Sequence, residues 1–215
     1  MSQAAAAGHG AEEAYESPLT PESWSKLAMW VFLAGDAMSF GGLLAAYGAL
    51  RYSMPTCADG VPMPCWPLPS HVLGIALTGF MTFLLICSSV TMVKGLAAIQ
   101  DGDAKRLCMF LGMTVLGGIT FLGLQAYEWS HLIHEGLTLS HNPFGSSQFG
   151  TTFFMTTGFH GCHVFGGVCY LSLVLIKGLR GGYSRTNYSG VETAGLYWHF
   201  VDLIWILVFT FIYLV

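Results

Sequence analysis

Long apolar segments of the sequence contain five ionisable side chains: Asp36, His160, His163, His199 and Asp202. His160 and His163 are three positions apart, as are His199 and Asp202, and this spacing places both members of a pair on neighbouring positions of one helix face. A charge near the centre of a bilayer costs about 2.5 to 3.5 kcal/mol on insertion scales. These residues therefore need a structural or functional reason to be there.

Four interpretations of these polar residues stay open. They can form a network of hydrogen bonds between helices that fixes the packing, or they can have a proton-linked role or a contact with lipid headgroups. A metal site is a more specific alternative, because the two histidines of His160-Gly-Cys-His163 could bind an ion from one helix face. The residues alone do not separate these roles.

The sequence indicates that this chain binds neither a metal ion nor haem. A carboxylate-bridged di-iron bundle needs two Glu-x-x-His motifs and two further glutamates, whereas we find one match, Glu128-Trp-Ser-His131, near a predicted helix end. Phosphate-binding loops, dinucleotide fingerprints and nucleophile elbows are absent from the sequence. We therefore expect no catalytic residue and no metal ligand. A proton-linked membrane carrier remains an alternative, although inverted repeats are also absent.

Composition places these residues in a membrane. Hydrophobic residues make up 53% of the chain and charged residues only 9%, which leaves too few charges to cover a globular surface. Five segments reach the length of about 20 residues that spans a bilayer. We predict an all-α integral membrane bundle of five transmembrane helices in one domain, residues 25–215, after a flexible polar tail, residues 1–24. The predicted helices cover approximately residues 27–50, 71–96, 106–131, 149–177 and 193–215.

Charge distribution predicts the orientation of these helices and excludes one class of partner. The loops between helices two and three and between helices four and five contain most of the lysine and arginine, so both loops are predicted to be cytoplasmic. The amino terminus is then cytoplasmic and the carboxyl terminus periplasmic. A net charge of −4 without a basic block gives no surface for nucleic acid. The cations in or beside these two loops are Lys94, Lys105, Arg106, Lys177, Arg180 and Arg185.

Two of the six cysteines lie in a predicted external loop. Cys57 and Cys65 flank a short stretch containing Gly60 and Pro62, in a compartment that favours oxidation, so we expect a disulfide between them, with two free thiols as the alternative. The other four lie within or beside predicted helices, where cysteine acts as a small apolar packing residue.

Four strings in the predicted helices carry a resemblance to a known family: WVFLAGDAMSFGGLLAAYGALR, FLGLQAYEW, FFMTTGFHGCHVFGG and ETAGLYWHFVDLIWI. From Trp24 to Val215 the chain resembles the five-helix bacterial form of the subunit III family of haem-copper respiratory oxidases, which includes subunit 3 of cytochrome c oxidases and quinol oxidases. The most specific patterns are Thr-Gly-Phe-His-Gly-x-His-Val, beginning at Thr157, and Tyr-Trp-His-Phe-Val-Asp-x-x-Trp, beginning at Tyr197. Further residues that match family positions are Gln125, Glu128, Trp129, Trp198 and Trp205.

The resemblance implies a non-catalytic subunit of a proton-pumping terminal oxidase in the bacterial inner membrane. Such a subunit binds no haem or copper, because these lie in the partner catalytic subunits. It packs against subunit I, with subunits II and IV as further partners, holds structural phospholipid and supports sustained proton uptake during aerobic respiration. A related oxidase assembly protein is the alternative. The electron donor cannot be read from a subunit that holds no donor site.

Asp36 marks one departure from the family, in which many members carry a carbodiimide-reactive glutamate at this position. The chain also resembles members that lack the first two helices of the seven-helix form, so the lipid cleft of that form is not carried over. Because Asp36 is predicted near mid-depth of the first helix, we expect it to be buried and paired with the histidines of helix four. We expect the partner face to be formed chiefly by the glycine-rich helices one and three.

Overall fold

Five long α-helices make up most of the protein. The computed structural model describes residues 24–58, 61, 62 and 64–215, without the side chain of His71, so the predicted polar tail lies outside the described residues apart from Trp24. Within this described part there are helices and no strands. All five helices are long and apolar enough to cross a membrane, which confirms the predicted all-helical architecture.

The helices extend beyond the apolar runs from which they were predicted. Polar residues begin two of them: the Asp103 side chain accepts a hydrogen bond from the Arg106 N–H, and the Ser146 hydroxyl accepts one from the Gln148 N–H. Such caps satisfy the free N–H groups of a first helical turn outside the apolar run. The helices are α1, Trp24–Tyr52; α2, Ile75–Gln100; α3, Ala104–His134; α4, Ser147–Leu179; and α5, Ser189–Val208, which continues as a π-helix over Phe209–Leu214.

The predicted start of helix two at residue 71 is wrong. Residues Pro69–Val72 form a separate helical turn, and Leu73 then has an extended backbone with φ −104° and ψ 143° before α2 begins at Ile75. The proline supplies the fixed φ angle that suits a first helical turn. Hydropathy continues without interruption through Leu73, and so it could not reveal the break.

Helix α5 lies centrally in the bundle. It packs against α1, α2 and α4, while α2, α3 and α4 pack on one another in chain order. Helix α1 is the least covered of the five, and only Leu33, Phe40 and Tyr47 of its 29 residues are buried. A large part of the surface of α1 is therefore free to contact lipid or another protein.

Two tryptophans attach α5 to α2 by hydrogen bonds. The indole N–H of Trp198 donates to the Ser88 hydroxyl at 3.0 Å, and that of Trp205 donates to the Thr82 hydroxyl at 3.0 Å. Both tryptophans are almost fully buried. Gly118 of α3 makes room for the first, because a Cβ atom there would lie 2.6 Å from Trp198 Cη2. Small residues and interhelical hydrogen bonds are the usual means of helix association in a membrane.

The loop after α1 covers one end of the bundle. The structure joins Cys57 and Cys65 in a disulfide with a Cα–Cα distance of 5.0 Å. The carbonyl oxygen of Cys65 accepts a hydrogen bond from Ser146 N–H at 2.8 Å, which attaches the loop to the start of α4. Gly145 is needed at this contact, because a Cβ atom there would lie 2.6 Å from the same carbonyl oxygen. Trp66, 1% exposed, fills the space beneath the loop.

Candidate functional site

Asp36 and His163 form an ion pair between α1 and α4. Asp36 Oδ2 lies 3.2 Å from His163 Nε2, and the two side chains are 16% and 13% exposed. The distance is that of an ion pair, although Asp36 Oδ2 makes no aligned hydrogen bond. The expected contact between Asp36 and a histidine of helix four is thus present, through His163. The expectation that Asp36 is buried and hydrogen-bonded is wrong, because α1 is covered on one side only and leaves the carboxyl group partly exposed.

His163 also contacts the backbone of its own helix. Its Nδ1 lies 2.8 Å from the carbonyl oxygen of Phe159, and since a carbonyl only accepts, Nδ1 must carry a hydrogen. The opposite ring nitrogen, Nε2, is the one that faces Asp36.

Residues from three helices meet at this ion pair. The Tyr197 hydroxyl of α5 donates a hydrogen bond to the backbone carbonyl of His163 at 3.0 Å. The rings of Phe40 and Phe159 lie edge-on to the His163 ring, with centroid distances of 5.2 and 4.6 Å. These contacts fix the imidazole and keep the pair in an apolar setting.

His160 does not share the partner of His163. Its ring is 1% exposed, stacks on Trp205 at a centroid distance of 4.9 Å and meets the edge of Phe121 at 6.0 Å. Neither ring nitrogen has a hydrogen-bond partner among the described residues. Three residues turn a helix by about 300°, which leaves the side chains roughly 60° apart. Here that offset directs His163 toward α1 and His160 toward α3 and α5.

His199 and Asp202 also separate, although both lie on α5. His199 lines an apolar groove between α1 and α5. Asp202 instead accepts a hydrogen bond from the Ser89 hydroxyl of α2 at 2.6 Å. The five predicted polar residues therefore do not form one cluster. Within the described ranges, no group of three or more His, Cys, Asp and Glu side chains lies close enough together to hold a metal ion.

Glu128 is the centre of a polar group that the sequence did not reveal. This residue is 4% exposed, and its carboxyl group contacts Thr78 Oγ1 at 2.8 Å, Tyr213 OH at 3.1 Å and Gln125 Nε2 at 3.4 Å. Sequence reasoning placed Glu128 near a helix end, but α3 continues to His134 and carries the carboxyl group into the bundle. Its position in the buried series of α3, after Phe121 and Gln125, is the signal that could have shown this.

The Glu128-Trp-Ser-His131 match does not form a pair of ligands. Glu128 faces the bundle, whereas the His131 side chain is 62% exposed and lies 3.6 Å from Glu135. Trp129, between them in sequence, packs edge-on against Phe154 at a centroid distance of 5.3 Å.

Comparisons with known proteins all indicate one family of oxidase subunits. Residues 19–215 match the family described as Cytochrome c oxidase subunit III. A cytochrome c oxidase subunit 3 from Synechocystis is 40% identical, over 86% of this chain and 72% of the relative. One from Corynebacterium diphtheriae is 35% identical, over 86% of this chain and 85% of the relative. A quinol oxidase subunit 3 from Bacillus subtilis is 33% identical, over 87% and 85% of the two chains.

Proposed function

The chain belongs to the cytochrome c oxidase subunit III family and is a multi-pass membrane subunit of a haem-copper respiratory oxidase, and we propose that it supports oxygen reduction without a catalytic centre of its own. The proposed role is to stabilise the catalytic subunit and to sustain proton uptake over many turnovers. The observation that carries this proposal is the contact between Asp36 and His163.

This ion pair suits a proton-linked role rather than chemistry on oxygen. It brings together a carboxyl group and an imidazole, two groups that can bind and release protons, and it joins α4 to α1, the least covered helix. Proton-binding groups at the surface of a subunit can pass protons to an adjoining partner subunit without contacting its substrate. Both side chains remain partly exposed, so they can lie at a surface that a partner covers.

We further propose that haem and copper are bound only by partner subunits. In the described part of the chain, histidine and carboxylate side chains are too dispersed to form a metal site. The main partner would be oxidase subunit I, with subunits II and IV as further contacts. Metal and haem analysis of the isolated chain should find no stoichiometric iron, copper or zinc, and one bound ion per chain would contradict this.

The partner face is proposed to lie on α1 and α3. Cβ atoms built on Gly35, Gly41 and Gly42 of α1 would have no neighbour within 4 Å, and the same is true of Gly112 and Gly123 of α3. At these positions no packing contact inside the described part of the chain requires a glycine. Small residues on an outer helix face permit the close approach of a second transmembrane helix.

A structural phospholipid is proposed to occupy the groove between α1 and α5. The groove has a volume of about 400 Å³ and an almost wholly apolar lining, which suits an acyl chain. Lys26 of α1 and Glu192 of α5 form an ion pair at 2.6 Å. Each lies one helical turn before a residue that lines the groove, Trp30 on α1 and Leu196 on α5, so charged groups lie at this end of it. The remaining lining residues are Leu33, Ala34, Ala37, His199, Phe200 and Leu203.

The bacterial inner membrane is the proposed location, with the amino terminus in the cytoplasm. Lysine and arginine are concentrated at the end of α2, the start of α3, the end of α4 and the loop after α4, which together form one side of the bundle, and this supports the orientation. The disulfide loop lies at the opposite end of the bundle, where an oxidising compartment would preserve it.

Removal of this subunit from the assembled oxidase tests the proposed function. The catalytic subunits without it should keep their haem spectrum and begin oxygen consumption at nearly the normal rate, and should then inactivate after fewer turnovers. Adding the purified chain back should restore the lifetime. An oxidase whose initial rate falls by orders of magnitude while its haem spectrum is intact would contradict a supporting role.

A further inference from the structure

A second buried carboxyl group, Glu128, lies near the end of the bundle that carries the disulfide loop. We propose that Glu128 is a proton-exchange site, which takes up a proton from water and releases it again through a pocket at this end. This inference goes beyond the supporting function, which rests on Asp36 and His163. It follows from the hydrogen bonds around Glu128 and from the shape of the surface above it.

The two carboxyl oxygens of Glu128 have different surroundings. Tyr213 OH donates to Oε2 at 3.1 Å, and the Gln125 amide donates to the same oxygen at 3.4 Å. Oε1 has a different neighbour, the Thr78 hydroxyl of α2, at 2.8 Å. With two donors directed at Oε2, an added proton is accommodated on Oε1.

The Thr78 hydroxyl fits both protonation states of Glu128. Its oxygen lies 2.8 Å from Glu128 Oε1 and 3.1 Å from the carbonyl oxygen of Gly74, while it has a single hydrogen to donate. When Glu128 is ionised, Thr78 donates to Oε1. When Glu128 is protonated, Oε1–H donates to the Thr78 oxygen and the threonine hydrogen turns to Gly74. One proton is gained or lost, and only a hydroxyl hydrogen rotates.

A pocket of about 340 Å³ connects Glu128 with the end of the bundle. Tyr127, His131 and Glu135 line the same pocket, and the side chains of His131 and Glu135 are 62% and 43% exposed. An imidazole next to a carboxylate at the mouth of a pocket can pass protons between water and a deeper group.

The titratable groups that face Glu128 from the elements around it are few. Among the described side chains they are Tyr213 from the π-helical end, and Tyr127, His131 and Glu135 from α3 and the residue after it. Helix α2 contributes the neutral Thr78. These described groups include no lysine or arginine, so none of them would hold the Glu128 carboxyl group in its ionised form by a positive charge.

The π-helix over Phe209–Leu214 places Tyr213 in this site. Its side chain is 1% exposed, and its hydroxyl is held against Glu128. Short π-helical turns are frequent at functional sites.

Infrared spectroscopy of the purified oxidase tests the proposal. In the complex with the native chain, one C=O band of a protonated carboxyl should change in intensity with pH and shift in D2O. Glu128→Gln should remove that band. Thr78→Val should shift it, because Oε1–H then lacks its acceptor, and Asp101→Asn, at the exposed end of α2 away from this pocket, should leave it in place. A band that responds neither to pH nor to D2O, or a spectrum that Glu128→Gln does not change, would overturn the proposal.

Chemical labelling supplies a measurement that needs no variant. A water-soluble carbodiimide with an added amine should modify Glu128 in the native oxidase, with more adduct at lower pH, as read by peptide mass mapping. Absence of an adduct at every pH would mean that the carboxyl is sealed and would overturn the proposal. Subunit composition and turnover lifetime of the same samples report separately on the supporting function.

Discussion

Asp36 Oδ2 lies 3.2 Å from His163 Nε2, and this contact ties the least covered helix of the bundle to α4. The Phe159 carbonyl engages the opposite ring nitrogen, so the orientation of the imidazole is fixed from within α4. The helix with the least covered surface is thereby attached to its own bundle through two side chains that can both bind protons.

Gly118→Ala should destabilise the subunit. The added Cβ atom would lie 2.6 Å from both Trp198 Cη2 and Val168 Cγ2, and overpacking of this kind costs about 1 to 3 kcal/mol. Gly161→Ala on α4 is the control, because its Cβ atom would have no neighbour within 4 Å and the position lies outside the proposed partner face. Thermal unfolding in the purified oxidase should show a loss for the first variant alone. Equal stability of both variants would contradict the packing around Trp198.

Gly42→Leu should prevent assembly of the chain with the other oxidase subunits without unfolding the chain itself. No atom lies within 4 Å of a Cβ built there, so the described part of the bundle can accept the larger side chain, whereas a closely packed partner helix cannot. Gly161→Leu, at an equally open position on α4, should assemble normally. Co-purification with the haem-containing subunits is the measurement. Normal assembly of the Gly42 variant, with loss of the Gly161 variant, would move the partner face to α4.

The disulfide loop should lie on the periplasmic side. Non-reducing peptide mapping should recover Cys57 joined to Cys65. After reduction of intact spheroplasts, a membrane-impermeant maleimide should label Cys57, because this residue is partly exposed and the predicted orientation places its loop outward. A cysteine introduced by Arg185→Cys, in the loop between α4 and α5, should react only after the membrane is permeabilised. The opposite labelling pattern would reverse the orientation.

Hydropathy and motif spacing were sufficient to predict the number of helices and the contact between Asp36 and a histidine of α4. Both follow from the cost of placing charge in a bilayer, which acts on the residue types themselves. The break at Leu73 and the burial of Glu128 were not predictable in this way. They depend on how far each helix continues and on which side faces its neighbours, and an apolar run that is hydrophobic all round does not contain that information. The divergence of His160 from His163 has the same cause, because a small rotation of α4 decides which neighbour each ring meets.

Replacement of Asp36 by asparagine tests the supporting role most directly. The amide keeps the shape of the side chain and its place beside His163, but unlike a carboxyl group it cannot gain or lose a proton. Asp101→Asn, at the exposed end of α2, is the control for the same change of charge outside the bilayer. In the fully assembled oxidase we expect the Asp36 variant to begin oxygen consumption at nearly the native rate and to inactivate several-fold sooner, with the control unchanged. A fully assembled variant whose initial rate falls by orders of magnitude would place Asp36 in the oxygen chemistry and contradict the account.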